Sequence, residues 1–237
     1  MPPMKRMSYS SPMPKSSSIN KLKAFVVKDL KVEMRTRYAV NALIMFAFVT
    51  LFALGVTFSN MRLDATLHAA LLWILIYFSG LQGLSSGFVK EEESGTAMAL
   101  RVYASPSTIF FGKYIHSLII LTILVVILLP LYYILMNLTI ERPLYLILVI
   151  ILGLWGFTAT STITAAIVSK ANVKGALFAV LSFPLMLPLL LVAISATIIC
   201  IGGGDNQNLF DSIKILIAYP VIVTAISYLL FDYIWSN

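Results

Sequence analysis

Charge is scarce in this sequence. Only 11% of its 237 residues are charged, 59% are hydrophobic, and mean hydropathy is +0.93. A soluble domain is about a quarter charged, so this chain cannot cover its surface with charge and a soluble globule is excluded. Cysteine is scarcer still. The single Cys200 excludes an internal disulfide, and no C-x-x-C-H motif occurs. A nucleotide-binding loop of the form G-x-x-x-x-G-K-[ST] is also missing. Gly112-Lys113 lacks the upstream glycine and the hydroxyl residue that should follow, so ATP hydrolysis by this chain is excluded. Carboxylates are absent from the long apolar runs, all ten lying in tails, loops or run ends. Ion-coupled carriers place a carboxylate or an unwound helix at mid-membrane, so the energy for any transport must come from a partner. Paired carboxylates, a His-rich helix and a Ser/His constellation are likewise missing from the runs. No catalytic residue, metal site or bound cofactor is expected.

What is abundant is uninterrupted apolar chain. Tyr38–Met61, Ala65–Val89, Tyr114–Ile140, Pro143–Ser169 and Gly175–Gly204 contain no charged residue, and Ile215–Phe231 is bracketed by Lys214 and Asp232. Roughly 20 apolar residues cross a bilayer as a helix, and a bilayer admits only helices or closed barrels. No alternation of the barrel kind is present. The reading is an all-α polytopic membrane protein with six transmembrane helices, at about residues 39–60, 66–88, 114–137, 144–169, 176–201 and 214–232.

Residues 1–20, rich in Pro, Ser and Met, read as a disordered tail ahead of a membrane domain at 21–237. They lack the apolar core of a cleavable signal peptide. In Asn20–Arg37, Leu22, Val26, Leu30 and Met34 recur every four residues, with Phe25 and Val27 beside them. Lys21, Lys28, Lys31 and Arg35 take the other side. That pattern predicts a basic amphipathic helix lying in the headgroup plane. The plainer alternative is an extension of the first span. Nine of the 17 basic residues precede the first apolar run, and fourteen fall on one side if the N-terminus is inside. Basic residues so placed set orientation and touch anionic lipid, which argues against nucleic acid as a partner. Both termini are expected to be cytoplasmic.

The longest inner loop, residues 89–113, carries Glu91, Glu92, Glu93 and Gly95, then a short stretch containing Met98, Arg101 and Val102, then Pro106, Gly112 and Lys113. A short amphipathic helix ended by Pro106 suits docking into a groove of a soluble partner; a solvated loop is the bland alternative. Gly83 and Gly87 form a G-x-x-x-G, extended by Ser79, which suits close helix packing, within the chain rather than between two copies. Thr158, Thr160, Thr162 and Thr164 can line a path, but such hydroxyls more often bond their own helix. Pro184 and Pro188, four apart, should kink the fifth span and could form a gate. His68 and His116 read as interfacial histidines without a second ligand at helical spacing.

The pattern F-x-x-E-x-x-x-G-T from Phe88 to Thr96, followed by Ser105-Pro106 and Gly112-Lys113, resembles the coupling loop of ABC-2-type permeases. Lys28-Asp29-Leu30-Lys31-Val32-Glu33-Met34-Arg35 resembles the opening helix of one branch, the haem exporter protein B (CcmB) family of cytochrome c maturation. Leu129-Pro130-Leu131, Gly153-Leu154-Trp155-Gly156 and the run Phe183-Pro184-Leu185-Met186-Leu187-Pro188 are similar to that family too. Lys90 stands where an arginine is commoner. The resemblance implies a permease subunit of an ABC-type complex in the bacterial inner membrane, with haem as substrate of the complex and ATP bound by a partner. It implies a CcmA-like ATPase coupled through Glu91–Glu93, Gly95, Met98, Arg101, Val102, Pro106, Gly112 and Lys113, CcmC-like and CcmD-like membrane subunits, a periplasmic CcmE-like haem chaperone, and a homodimer. An ABC-2 permease for lipid, glycan or drug shares every physical feature, and a non-transporting membrane scaffold is the rival of a different class.

Overall fold

The computed structural model describes residues 18–36, 38–84, 105–169 and 174–236. Among the described residues there are seven helices and no strand. They are α1 (Ser18–Thr36), α2 (Tyr38–Thr57), α3 (Ala65–Leu84), α4 (Pro106–Leu135), α5 (Pro143–Ser169), α6 (Lys174–Gly202) and α7 (Asn206–Ser236). The six from α2 to α7 are each long and apolar enough to cross a membrane. At about 1.5 Å per residue, even the shortest spans the roughly 30 Å of a hydrocarbon core.

The helices run alternately up and down. Residues 58–64, 136–142 and 203–205 join them at one end. There the Arg142 N–H donates to the Cys200 carbonyl at 3.0 Å, and its guanidinium donates to the Gly204 carbonyl at 2.8 Å. Tyr145 and Phe210 meet edge to face, 6.2 Å between centroids. At the opposite end lie α1, the start of α4 and the end of α7, where Phe110 and Phe231 sit 5.3 Å apart. Asp64 caps α3 by accepting the Leu67 N–H at 3.0 Å. Gly203, at φ 73°, terminates α6 in the left-handed conformation that favours glycine.

α5 is the centre of the bundle, packed mainly on α6 and α7 and also on α4. Every residue from Gly156 to Ala166 is buried. Apart from Phe157 and Ile163, that stretch is made of small and hydroxyl residues, which let neighbouring helices approach closely. Its hydroxyls bond their own helix: Thr158 to the Leu154 carbonyl, Thr162 to that of Thr158 and Thr164 to that of Thr160, each at 2.8 Å. Gly153 lies under Trp73 of α3, where any side chain would overlap the indole. The indole N–H then donates to Thr197 Oγ1 of α6 at 2.9 Å, fastening three helices at one point. By contrast α2 turns Met45, Phe48, Val49, Phe52 and Val56 outward. In water that face would be costly; in lipid it is the ordinary surface of a span.

The apolar runs located all six spans, but two begin earlier than the sequence suggested. α4 starts at Pro106 rather than near 114, and α7 at Asn206 rather than near 214. In α7 Lys214, which looked like a boundary, is neutralised on the helix surface by Asp211, its Nζ lying 2.7 Å from Asp211 Oδ1. The cause in α4 is a buried ion pair.

Candidate coupling site at the loop-proximal end

α4 begins with a well-formed cap. Ser105 has extended backbone (φ −64°, ψ 150°), and its hydroxyl accepts the Thr108 N–H at 3.4 Å and lies 2.8 Å from Thr108 Oγ1. Pro106 takes the first helical position, where its missing N–H costs nothing. Thus Pro106, Gly112 and Lys113, expected in the loop, form the first turns of α4. Lys113 lies eight residues past the cap, about 12 Å along the helix.

Lys113 is buried because α1 supplies its counter-charge. Its Nζ stands 2.8 Å from Asp29 Oδ2, and the two side chains are only 7% and 6% exposed. Lys28, 46% exposed, approaches the other carboxylate oxygen at 3.3 Å. Both ammonium groups also face the Phe25 ring, Lys28 at 5.1 Å and Lys113 at 5.5 Å from its centroid, within cation–π range. The ring lies directly over Gly112, and any side chain at that position would run into it. One turn further along α1, Glu33 Oε1 accepts the Val40 N–H at 3.2 Å. That satisfies a donor in the first turn of α2, where a negative charge is also favoured by the helix dipole.

Phe25, Asp29 and Glu33 therefore form the innermost line of α1. The stripe of Leu22, Val26 and Leu30 flanks it half-buried, while Lys31 and Arg35 are exposed. α1 thus has a third face that the simple apolar-against-basic reading lacked, and that face carries two carboxylates. Of the residues singled out in the sequence, the structure brings Lys28, Asp29, Gly112 and Lys113 into one cluster. It places Glu33 beside them and Arg35 apart. Gly87, Glu91, Glu92, Glu93, Gly95, Met98, Arg101 and Val102 lie outside the described residues. The described chain on either side of them ends at Leu84 and resumes at Ser105, at the same end of the bundle as α1.

A family model described as CcmB protein matches residues 20–231. The chain belongs to the CcmB family. The match begins in the first turn of α1 and ends within α7, so it takes in all of α2 to α6 and most of α1 and α7. Comparison with curated proteins gives no match. The family is one of permease-type transport subunits, and the six long apolar helices make this member a multi-pass membrane protein of haem export and cytochrome c biogenesis.

The remaining sequence candidates find quieter places. Gly83 receives Leu43 of α2 against it, so this end of the G-x-x-x-G packs within the chain. Pro184 and Pro188 stand exposed on α6, which runs through both as one helix. Tyr219 of α7 donates to the Leu185 carbonyl, three residues before Pro188, and its hydroxyl is 3.1 Å from Thr160 Oγ1. Neighbouring helices commonly re-satisfy the backbone near a membrane proline in this way. His68 is 5% exposed; the Tyr132 hydroxyl donates to its carbonyl at 3.1 Å and lies 3.4 Å from its Nδ1. His116 is half-buried in α4. Among the described residues no cluster of three or more His, Cys, Asp or Glu could hold a metal ion.

The Asp29–Lys113 pair and the Phe25–Gly112 seat escaped the sequence reading. The signal available for them was the spacing of Phe25, Asp29 and Glu33 at every fourth residue, which puts two acids in line with an aromatic ring on one helix face.

Proposed function

We propose that this chain is the permease subunit of an ABC-type complex that acts in haem export or haem-chaperone release for c-type cytochromes. A separate CcmA-like ATPase supplies the energy. The observation that carries this reading is the family match, which spans all six apolar helices in a chain without a nucleotide-binding motif. CcmC-like and CcmD-like membrane subunits and a periplasmic CcmE-like chaperone complete the system. The chain works as a homodimer in the bacterial inner membrane. Both termini are cytoplasmic, as the inward bias of its basic residues favours.

In this mechanism the ATPase engages the loop that begins at residue 89 and leads into α4, with Glu91–Glu93 and Arg101 making polar contacts and Met98 and Val102 filling an apolar groove. A loop that contacts the ATPase differently in its two nucleotide states biases the permease between two conformations. Because the loop feeds into α4 through the Ser105 cap, its displacement reaches a 30-residue helix without an intervening hinge. The buried Asp29–Lys113 pair joins α1 to that motion, and Glu33 passes it to the start of α2. The helices then respond by rigid-body movement.

Replacing Met98 and Val102 with Asp tests the docking surface. The double variant is expected to insert and purify normally while losing co-purification with the ATPase. Undiminished co-purification would remove this loop from the interface.

A further inference from the structure

At the end of the bundle away from α1, the turn after α2 and the turn after α4 enclose a cavity of about 570 Å³. Its polar lining includes Asn60, Arg62, Asn137 and Thr139, and Phe58 and Met136 face it from the apolar side. Local backbone geometry brings these groups together. α4 ends with Asn137 in the left-handed region at φ 49°, and the Leu138 N–H returns to the Tyr133 carbonyl at 3.1 Å, turning the chain sharply over the helix end. After α2, the Met61 N–H donates to the Phe58 carbonyl at 3.0 Å, which folds Asn60 and Arg62 back toward it. No carboxylate lines the cavity, and Arg62 makes no ion pair among the described residues. Arg62 is the charged group of the lining, and Asp64, beside the lining residue His68, has its carboxylate engaged by the α3 N-terminus, so the basin offers a guanidinium with amide and hydroxyl donors around it, which suits an oxyanion.

The basin does not end at the bundle rim. A second hollow of about 260 Å³ shares Ser59 and Leu135 with it and continues between α2 and α4, walled by Phe52, Gly55 and Val56. Beyond that, the same seam forms a shallow apolar cleft bordered by Ile44, Phe48, Leu124 and Ile127. From Ser59 to Ile44 the seam runs roughly 20 Å at the helical rise per residue. A donor-rich basin with a guanidinium in its lining, leading into a long apolar groove on the lipid-facing side, has the shape and polarity of a phospholipid. A soluble anion would need only the basin; an alkane would need only the groove.

We propose that this chain holds one anionic phospholipid, its phosphodiester against Arg62 and the amides of Asn60 and Asn137, with one acyl chain laid along the α2–α4 seam. The site stands on its own residues, at the opposite end of the bundle from the coupling cluster, and does not depend on how the loop engages its ATPase. Gly55 keeps the groove open. A Cβ there would make ordinary contact with Leu135 Cβ at 3.7 Å, whereas a larger side chain would occupy the hollow.

The test is native mass spectrometry of the purified full-length protein in mild detergent, titrated with phosphatidylglycerol or with zwitterionic phosphatidylethanolamine. Wild type is expected to retain one phosphatidylglycerol, about tenfold more tightly than phosphatidylethanolamine, in keeping with one charge-assisted contact. Arg62→Glu should abolish that preference, and Gly55→Leu should weaken both lipids alike by obstructing the chain. Millimolar inorganic phosphate should not compete; full competition would assign the basin to a free anion and overturn the proposal. Equal retention of the two lipids by wild type would overturn it without recourse to any variant. Wild-type phosphatidylglycerol binding in both Arg62→Glu and Gly55→Leu would do the same.

Discussion

Asp29→Asn is the sharpest perturbation of the coupling cluster, because it removes one charge and almost no volume. At an effective dielectric constant of about 20, two unit charges 2.8 Å apart attract by about 6 kcal/mol. Much of that is offset by the cost of desolvating both groups, so the pair contributes little net stability compared with an apolar pair of the same size. Breaking it is another matter. With its side chain 7% exposed, Lys113 loses its Asp29 counter-ion without gaining water, and removal of one partner of a buried pair costs about 3–5 kcal/mol. The exposed Lys214–Asp211 pair supplies the control. It has nearly the same separation, 2.7 Å, but its side chains are 75% and 55% exposed, and Asp211→Asn should cost about 0–1 kcal/mol. Unfolding of the purified protein by SDS titration from mild detergent, followed by tryptophan fluorescence, measures both. The double replacement Asp29→Leu with Lys113→Met should recover to within about 1 kcal/mol of wild type, since both charges of the pair are then removed together. If Asp29→Asn costs no more than Asp211→Asn, the claim that α1 is fixed to α4 by a buried ion pair is wrong.

Two further substitutions test the packing argument from different directions. Gly112→Val should drive the Phe25 ring off α4, cost about 1–3 kcal/mol as overpacking does, and expose the α1 segment to limited proteolysis; a protease pattern identical to wild type would contradict the seat. Thr162→Val and Thr164→Val remove hydroxyls that bond only their own helix, so each should change stability by less than about 1 kcal/mol and leave cytochrome c maturation intact. Loss of maturation with stability unchanged would show that these hydroxyls line a path.

The first five spans were legible because a charge-free apolar run of more than 20 residues has few alternatives in a protein. What misled at α4 was the rule that makes such runs visible. Lys113 reads as a boundary when only its neighbours in sequence are considered, yet its counter-ion comes from Asp29, far earlier in the chain. The same holds for Gly112, whose reason is a ring at position 25. In α1 the apolar stripe was visible by period, but the innermost line contains Asp29 and Glu33, residue types that periodicity assigns to water. Their burial is decided by what lies opposite them, Lys113 and the backbone N–H of Val40. The hydroxyl run of α5 was legible in its bonding, because Ser and Thr in a helix have a carbonyl within reach four residues back. Its central position was not, since α5 is no more apolar than its neighbours.

The central claim is that this chain is the membrane half of an ATP-driven complex for cytochrome c maturation. It is tested most directly by a mild-detergent pull-down of the tagged full-length protein, with its partners identified by mass spectrometry. The expected result is recovery of a P-loop ATPase together with haem-handling membrane subunits, and loss of the ATPase when Met98 and Val102 are replaced by Asp. Recovery of an ATPase without the haem-handling subunits would contradict the haem assignment, and recovery of no ATPase at all would contradict the permease itself.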